Sequence, residues 1–506
     1  MVGARPPATS AAYPVLALPG GRRSLMLSAS APGPAEQDRY PTMGEDRSDG
    51  SFAAAASGRP DGMPRVGVVL AAGRSVRLRR LTGGRSKLLL RLGGMALVER
   101  AVRTLLASGL ERVVVVVGYQ GDSVSQAVAG IDPGRVEVVR AEDWESGNGA
   151  SLGAVEPAVA GEPLFALVCS DHVFGEGALD GLVEAGAPAV LVDEEPDRAA
   201  WEEGTRVHVQ GPWALAFGKD LDDPGIDCGA FVLPQEIFTS RREAARAGDH
   251  SLAGAVTRLA EARPMLAEPI PEGTWWQDVD TPHDLRLARR ALRRSLTRAS
   301  DGPVAQYLNR PVSTRISMAL APLSIPPPVY SSFGLLLGIM AASVLAAGHL
   351  LVGGLLVQAT SVIGGLDEEA ARLQMATGLR VRGIEHLADR MGDAAIVTGL
   401  ALWLIDRSFR SHTLVLLATI GLAWAVLAMA GQQRSSILGL PASTERLLGY
   451  LLGGRDGRLV LVTAWAVLGH PMGALVALSA AWLASVLLRV VLVRRGAREA
   501  TRVLEQ

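Results

Sequence analysis

The chain has 506 residues, a formal net charge of −1 and 48% hydrophobic residues. That length exceeds what one hydrophobic core usually supports, so at least two domains are expected, and the near-neutral balance gives no electrostatic case for a nucleic-acid partner. The only cysteines, Cys169 and Cys228, have no metal-ligand spacing, and a disulfide framework does not suit a chain of this size; both read as packed thiols.

Residues 1–63 are rich in Ala, Pro, Gly and Ser, lack apolar periodicity and contain no long apolar core of the secretory type. They read as a disordered tail or a start assigned too early. From Arg65 the pattern changes. Val66 to Leu70 is a buried strand, Ala96 to Ser108 a helix and Arg112 to Val117 a second strand, an order that implies a parallel α/β sheet. The alternation continues through Pro163 to Cys169 and ends near Trp276, after which a basic helix, about Pro282 to Thr297, leads out of the domain.

The first strand runs into Ala71-Ala72-Gly73-Arg74-Ser75-Val76-Arg77-Leu78, followed by Ser86-Lys87-Leu88. A small-residue turn at the carboxyl end of a parallel strand exposes N–H groups, here at Ala72 and Gly73, to phosphate, with Arg77 and Lys87 as countercharge. Trp144-Glu145-Ser146-Gly147-Asn148-Gly149-Ala150-Ser151-Leu152 reads as a flexible loop whose Asn148, Gly149 and Ser151 groups suit a base edge. Taken alone, the first segment also suits a plain strand-to-helix turn with solvated basic residues, and the second suits an ordinary Gly-Asn turn equally well.

The strand ending at Cys169 places Asp171 where open α/β sheets bind ligands. A second acidic cluster, Asp278-Val279-Asp280, comes much later in the chain. Asp171 and Asp278 together would hold Mg²⁺ or another divalent cation against a triphosphate, since this hard ion prefers oxygen ligands. Asp171 by itself also fits a cap or turn, and His172 reads as a structural neighbour.

With Gly218-Lys219-Asp220-Leu221, Asp227-Cys228-Gly229 and the Asp-Val-Asp-Thr-Pro ending, these segments resemble CTP:inositol-1-phosphate cytidylyltransferases of the nucleotide-diphospho-sugar transferase superfamily, over roughly Pro64 to Ser295. The resemblance implies a Rossmann-like fold. In it the phosphate of inositol 1-phosphate attacks the α-phosphorus of CTP and releases pyrophosphate. Carried over residue by residue, Arg77 and Lys87 hold phosphates as catalytic groups, Lys219 binds substrate, and Asp171 and Asp278 bind metal. The family loop usually has glycine at Ser75 and often proline at Leu88.

Beyond residue 331 the apolar residues gather into long runs, Ser332 to Gly348, Leu350 to Leu366, Thr413 to Ala430 and Gly473 to Leu488, each near the length that crosses a bilayer. Ala394 to Ile405 and Leu459 to Leu468 are shorter, and with them about six transmembrane helices are expected. Arginines at 289, 290, 293, 294 and 298 precede the first run and others at 494, 495, 498 and 502 follow the last. They place both ends, and the first domain, on the cytoplasmic side of the cell membrane, near anionic lipid.

Between the second and third runs lie Asp367, Glu368, Glu369 and Arg372, then Glu385, Asp389 and Asp393, spaced to share one helical face. A charged cytoplasmic loop would also carry such residues. The segment resembles the CDP-alcohol phosphatidyltransferase signature, Asp-x2-Asp-Gly-x2-Ala-Arg-x8-Gly-x3-Asp-x3-Asp. Its surroundings, up to about Arg495, look most like the di-inositol-phosphate-phosphate synthase half of bifunctional enzymes. The resemblance implies metal ligation by Asp367, Glu385 and Asp389, activation of an acceptor hydroxyl by Asp389, substrate binding by Arg372, release of CMP, and a homodimer. The chain departs by having Gly364 for the first Asp, Glu368 for the following Gly, Val381 for the second Gly and Glu385 for the third Asp. Glu368 has the reach to compensate for Gly364. A catalytically degraded half serving as anchor or binding module is the alternative.

The expected plan is thus a tail (1–63), an α/β nucleotidyltransferase domain (64–295), a juxtamembrane element (296–330), an all-α membrane domain (331–495) and a cytoplasmic tail (496–506).

Overall fold

The computed structural model describes residues 62–74, 77–298, 301–376, 379–407 and 454–481, with isolated positions at 421, 483, 484, 487 and 491; the side chains of 379–386 and 406–407 lie outside that description. Nearly all of the expected tail, most of Thr413 to Ala430 and the side chain of Glu385 are therefore outside the described residues.

The strands, in chain order, are β1 (Val66–Ala71), β2 (Arg91–Leu92), β3 (Met95–Ala96), β4 (Arg112–Val117), β5 (Val136–Arg140), β6 (Leu164–Cys169), β7 (His172–Phe174), β8 (Ala189–Asp193), β9 (Arg206–Gln210), β10 (Trp213–Gly218), β11 (Ile226–Pro234), β12 (Met265–Pro269) and β13 (Trp276–Asp278). Nine of them form one sheet in the order β5-β4-β1-β6-β11-β8-β12-β10-β9. Every residue of β1 is buried, as a strand covered on both faces requires. It pairs in parallel with β4 on one side and β6 on the other. Between β1 and β4 the helix Leu97–Ala107 buries Leu97, Val98, Ala101, Val102 and Leu105, the stripe that a 3.6-residue period lays on one face.

The parallel sheet read from the sequence describes β5, β4, β1 and β6, but β11 runs antiparallel to both its neighbours, β6 and β8. Connection length accounts for one further antiparallel pair: β9 and β10 are joined through Gly211 and Pro212 alone, too short for the crossover that a parallel pair needs.

A two-stranded antiparallel ribbon of β7 and β13 stands at the carboxyl end of β6 and sets Asp278 opposite His172. The helix Pro282–Ser295 follows at once. Thr281 Oγ1 accepts from the Asp284 amide, Asp284 Oδ2 accepts from the Thr281 amide, and Pro282 occupies the first turn, so the start of this helix is fixed by its own side chains.

The second half contains the helices Arg310–Leu320, Pro327–Ala346, Leu350–Ile363, Leu366–Leu373, Leu379–Arg407 and Arg455–Val467. Among the described residues two helices, Pro327–Ala346 and Leu350–Leu373, are long and apolar enough to cross a membrane, with mean hydropathies of 1.9 and 1.5. Phe333, Leu336, Ile339, Met340, Leu351, Val352 and Leu355 on them face outward, an apolar surface suited to lipid. Pro327–Ala346 packs against Leu379–Arg407 through small residues: a Cβ on Gly338 would lie 3.2 Å from Gly392 Cα, and one on Gly399 would run into the Ala342 carbonyl. Such glycines let apolar helices approach closely.

The halves share one cluster, in which Leu373 packs with Leu78, Leu92, Leu97, Leu285 and Leu292. At the tip of the β2–β3 hairpin, Gly94 has φ +84° and presses on the Ala321 carbonyl, so any side chain there is blocked both by strain and by space. Arg100 Nη2 donates to the carbonyls of Leu92 (2.9 Å) and Leu373 (3.3 Å), stitching the hairpin to the second half.

Candidate active site

The carboxyl ends of β1 and β6 lie side by side, and the Ser170 amide donates to the Leu70 carbonyl at 3.2 Å. Asp171 therefore emerges beside the Ala72-Gly73 turn. The Val279 amide donates to the Asp171 carbonyl at 3.0 Å, which brings in the distant acidic segment. Carboxylate oxygens of Asp171, Asp278 and Asp280 then lie within 4.8 Å of one another. Sequence reasoning singled out Asp171 and Asp278 and passed over Asp280. The signal was present, because positions two apart in extended chain face the same side.

Lys87 is the counter-ion of this cluster. Its Nζ is 2.8 Å from Asp171 Oδ2 and also pairs with Asp280 Oδ1, and its side chain is only 8% exposed. Burial opposes its charge, but the two carboxylates outweigh burial and raise the ammonium above its ordinary range. Asp171 is the complement: burial pushes its carboxyl up, and Lys87 with His172 more than reverses this, holding it well below the usual range.

His172 Nδ1 lies 3.0 Å from Asp171 Oδ1, and its ring stacks on Trp276 at 5.6 Å. Burial lowers the imidazole, yet facing Asp278 and Asp171 it is raised to about 9. Gly229, at φ +68°, leaves the space this ring occupies; a Cβ there would stand 2.8 Å from it. That is the structural use of the Asp227-Cys228-Gly229 segment. Cys228 is buried, Cys169 is partly so, and both thiols are free and pushed well up by burial.

Asp278 carries the decisive feature. Its Oδ1 is buried without a hydrogen-bond partner, and burial, with Asp171 and Asp280 adding, raises its carboxyl to about 6 against the opposing pull of His172. A buried carboxylate oxygen is costly unless paired or ligated. Three converging carboxylates, one with an orphan oxygen, are the donor set a hard divalent cation requires, so the residues fit the metal the sequence implies.

Arg77 stands at the rim, 60% exposed, with Nη1 2.8 Å from Glu203 and 3.4 Å from Asp280. Glu203 had no motif to announce it. Ala72 is buried and its carbonyl accepts from the Tyr119 amide at 3.0 Å, while Gly73 is exposed and a Cβ there would meet nothing within 4 Å.

The segment read as a flexible loop is ordered helix: a 3₁₀ turn at Trp144–Ser146 and an α-helix at Asn148–Gly153. Tertiary hydrogen bonds order it. The Gly149 amide donates to the His250 carbonyl at 2.9 Å, and Asn148 Oδ1 accepts from the Leu252 amide at 2.7 Å. Ser151 is buried. The Asn148 carboxamide N–H₂ has no partner among the described residues. Lys219 is exposed in the turn after β10, likewise without a partner among them.

In the second half a separate cavity of about 170 Å³ is lined by Arg310, Gly364, Glu368, Asp389 and Arg455 among others, so that of the expected site residues only Asp389 reaches it among the described residues. Asp367 is buried, accepting from Ser331 Oγ at 2.7 Å and from the Glu368 amide at 2.6 Å. Glu368 does not reach toward Gly364. It pairs with Arg298, with Arg310 at 3.4 Å and with Arg372 at 3.5 Å. Asp389 pairs with Arg455 Nη1 at 2.9 Å. No three carboxylates of this half converge within 4.8 Å among the described residues.

A family model described as a MobA-like NTP transferase domain matches residues 67–304. The chain is 36% identical over 451 residues to a bifunctional IPC transferase and DIPP synthase of Rubrobacter xylanophilus, covering 87% of this chain and 99% of that one. A protein of the same name from Thermococcus kodakarensis is 31% identical over 363 residues, covering 71% and 80%. Among solved structures, the inositol-1-phosphate CTP transferase from T. maritima is 26% identical with a TM-score of 0.41, covering 46% of this chain and 97% of that one.

Proposed function

The chain belongs to the family of bifunctional IPC transferases and DIPP synthases and is a nucleotidyltransferase; from that premise we propose that its first half transfers the cytidylyl group of CTP to an alcohol phosphate, inositol 1-phosphate in the first instance. The products are a CDP-alcohol and pyrophosphate. The observation that carries this reading is the convergence of Asp171, Asp278 and Asp280 on Lys87 beside the Ala72-Gly73 turn.

The residues divide the work by position. Ala72 and Gly73 offer backbone amides to the triphosphate. Lys87, held between Asp171 and Asp280, supplies an ammonium for the phosphate oxygens, and Arg77 adds a second charge at the rim. Asn148 presents its free carboxamide N–H₂ to the base, with Gly149 and Ser151 beside it, and Lys219 adds charge for the alcohol phosphate. Asp171 and Asp278, with Asp280, would hold Mg²⁺, which stabilises the charge that grows on the α-phosphate and the departing pyrophosphate.

The second half, on this proposal, transfers the phospho-alcohol of the CDP-alcohol to an acceptor hydroxyl and releases CMP. It is a multi-pass domain of about six crossings and forms a homodimer, with the nucleotidyltransferase half on the cytoplasmic side. The expected divisions at 64–295, 296–330 and 331–495 belong to the same proposal. A second reading, a non-catalytic anchor, is favoured by glycine at position 364. Membranes carrying the full chain, supplied with CTP, Mg²⁺ and inositol 1-phosphate, test both. Pyrophosphate release supports the first reaction, and its absence with every alcohol phosphate tried refutes it. Pyrophosphate without CMP, with acceptor present, refutes the second reaction and leaves the anchor.

A further inference from the structure

The carboxylates of the second half are already served by a cation of the chain. Arg455 spreads its guanidinium across the Leu379–Arg407 helix, Nη1 to Asp389 Oδ1 at 2.9 Å and Nε to Asp393 Oδ1 at 2.9 Å. Arg458 Nη2 lies 3.7 Å from the other Asp393 oxygen. Next to Arg455, Asp456 Oδ1 accepts from Asn309 Nδ2 at 2.8 Å and from Ser361 Oγ at 2.6 Å. Each acid facing the cavity thus has a donor built into the fold.

Position 364 explains how the guanidinium gets there. A Cβ on Gly364 would run into Arg455 Nη1, so a side chain at 364 would require the guanidinium, the far end of a flexible side chain, to shift from its present place. Among the described side chains, which do not include that of Glu385, the donor set left over is Asp367 tied to Ser331 and Asp389 tied to Arg455, and no three carboxylates converge as a divalent ion requires.

We infer that Arg455 is the resident cation of the second half, occupying the space that Gly364 vacates and neutralising Asp389 and Asp393 in place of a bound metal. The substitution is mutual: glycine admits the guanidinium, and the guanidinium removes the need for a metal to hold two partly buried carboxylates together. An arginine fork suits this, because it stays charged and matches carboxylates in fixed geometry. The inference rests on reading the second half as a phospho-alcohol transfer fold. Its consequence is that divalent ions bind the first half alone, so any CMP release would not need an ion in this cavity.

The test counts bound ions on the full chain in detergent micelles, using Mn²⁺ and electron paramagnetic resonance. Asp171→Asn with Asp278→Asn should remove all tight Mn²⁺ binding. Mn²⁺ that remains on this double variant, and leaves when Asp389→Asn is added, overturns the inference. A second measurement needs neither of those variants. Arg455→Gln should lower Tm in metal-free buffer, and Arg455→Lys, which keeps the charge without the fork, should recover part of the loss. An unchanged Tm for Arg455→Gln overturns the inference as well. Pyrophosphate release measured on the same samples reports on the first half alone, so failure of the proposed reaction and failure of this inference remain separate results.

Discussion

Two clusters of carboxylates, one in each half, meet a basic side chain, and they differ in what is left over. At the end of β6, Lys87 answers Asp171 and Asp280 and leaves Asp278 Oδ1 buried and unpartnered. In the second half, Arg455 and Arg458 answer both oxygens of Asp393 while Arg455 also takes Asp389. A surplus of negative charge with an orphan oxygen suits a cation from solution, whereas carboxylates already paired by a guanidinium call for none. Counting acidic residues in a motif does not separate these cases, whereas their hydrogen-bond accounting does.

The largest effect expected is on the surplus site. Asp171→Ala should lower pyrophosphate release by more than about 100-fold, since loss of a direct ligand exceeds the roughly 10–100-fold cost of disturbing a supporting one. Circular dichroism should show the fold intact, and activity within tenfold of the parent would erase the contrast between the clusters. The same site should titrate. With its carboxyl raised to about 6, Asp278 is protonated below that pH, so an incoming ion must displace a proton. Mn²⁺ affinity should therefore fall by about tenfold per pH unit below pH 6 and level off above it. Calorimetry across pH 5 to 8 checks this, and an affinity flat across the range would remove Asp278 from the ligand set.

Asn148→Ala sharpens the comparison within the first half, because one carboxamide is assigned two tasks. Losing the bond to the Leu252 amide should cost about 1 kcal/mol in denaturant melts, and losing the N–H₂ should raise KM for CTP. Lower stability with KM unchanged would leave Asn148 a purely structural residue. The smallest effect belongs to Arg298, whose partner Glu368 joins the halves through a partly exposed pair. Arg298→Ala should cost at most about 1 kcal/mol. A larger loss in thermal unfolding would mean that this pair, rather than the Leu373 cluster, holds the halves together.

Much of this was legible in the residues alone. Runs of Val, Leu and Ala fixed β1, β4 and β6, since strands covered on both faces must be apolar throughout. The basic helix at 282 carried its own cap. Asp171 and Asp278 could be paired because each ends or follows a strand. What the sequence could not decide was set by contacts between distant segments. β11 runs antiparallel between β6 and β8, neighbours distant from it in sequence. The Asn148 segment became helix because His250 and Leu252 supply its partners. Glu368, which has the reach to stand in for the acid missing at position 364, is instead spent on three arginines.

The sequence by itself determined which chemistry-bearing residues exist and, for Asp171 at the end of β6, which strand carries it, because the hydrophobic pattern of a buried strand is local. Only the tertiary structure decided which charge meets which. Lys87 belongs to a motif that marks it for phosphate, whereas nothing in the sequence near Arg455 states its role, and neither segment names the carboxylates that each one meets. The fold sets one against three carboxylates and leaves an oxygen unpaired, and threads the other past a glycine to pair with two. Long-range packing, through the strength of Coulombic contact in a buried setting, turned similar compositions into a candidate metal site and an ion pair.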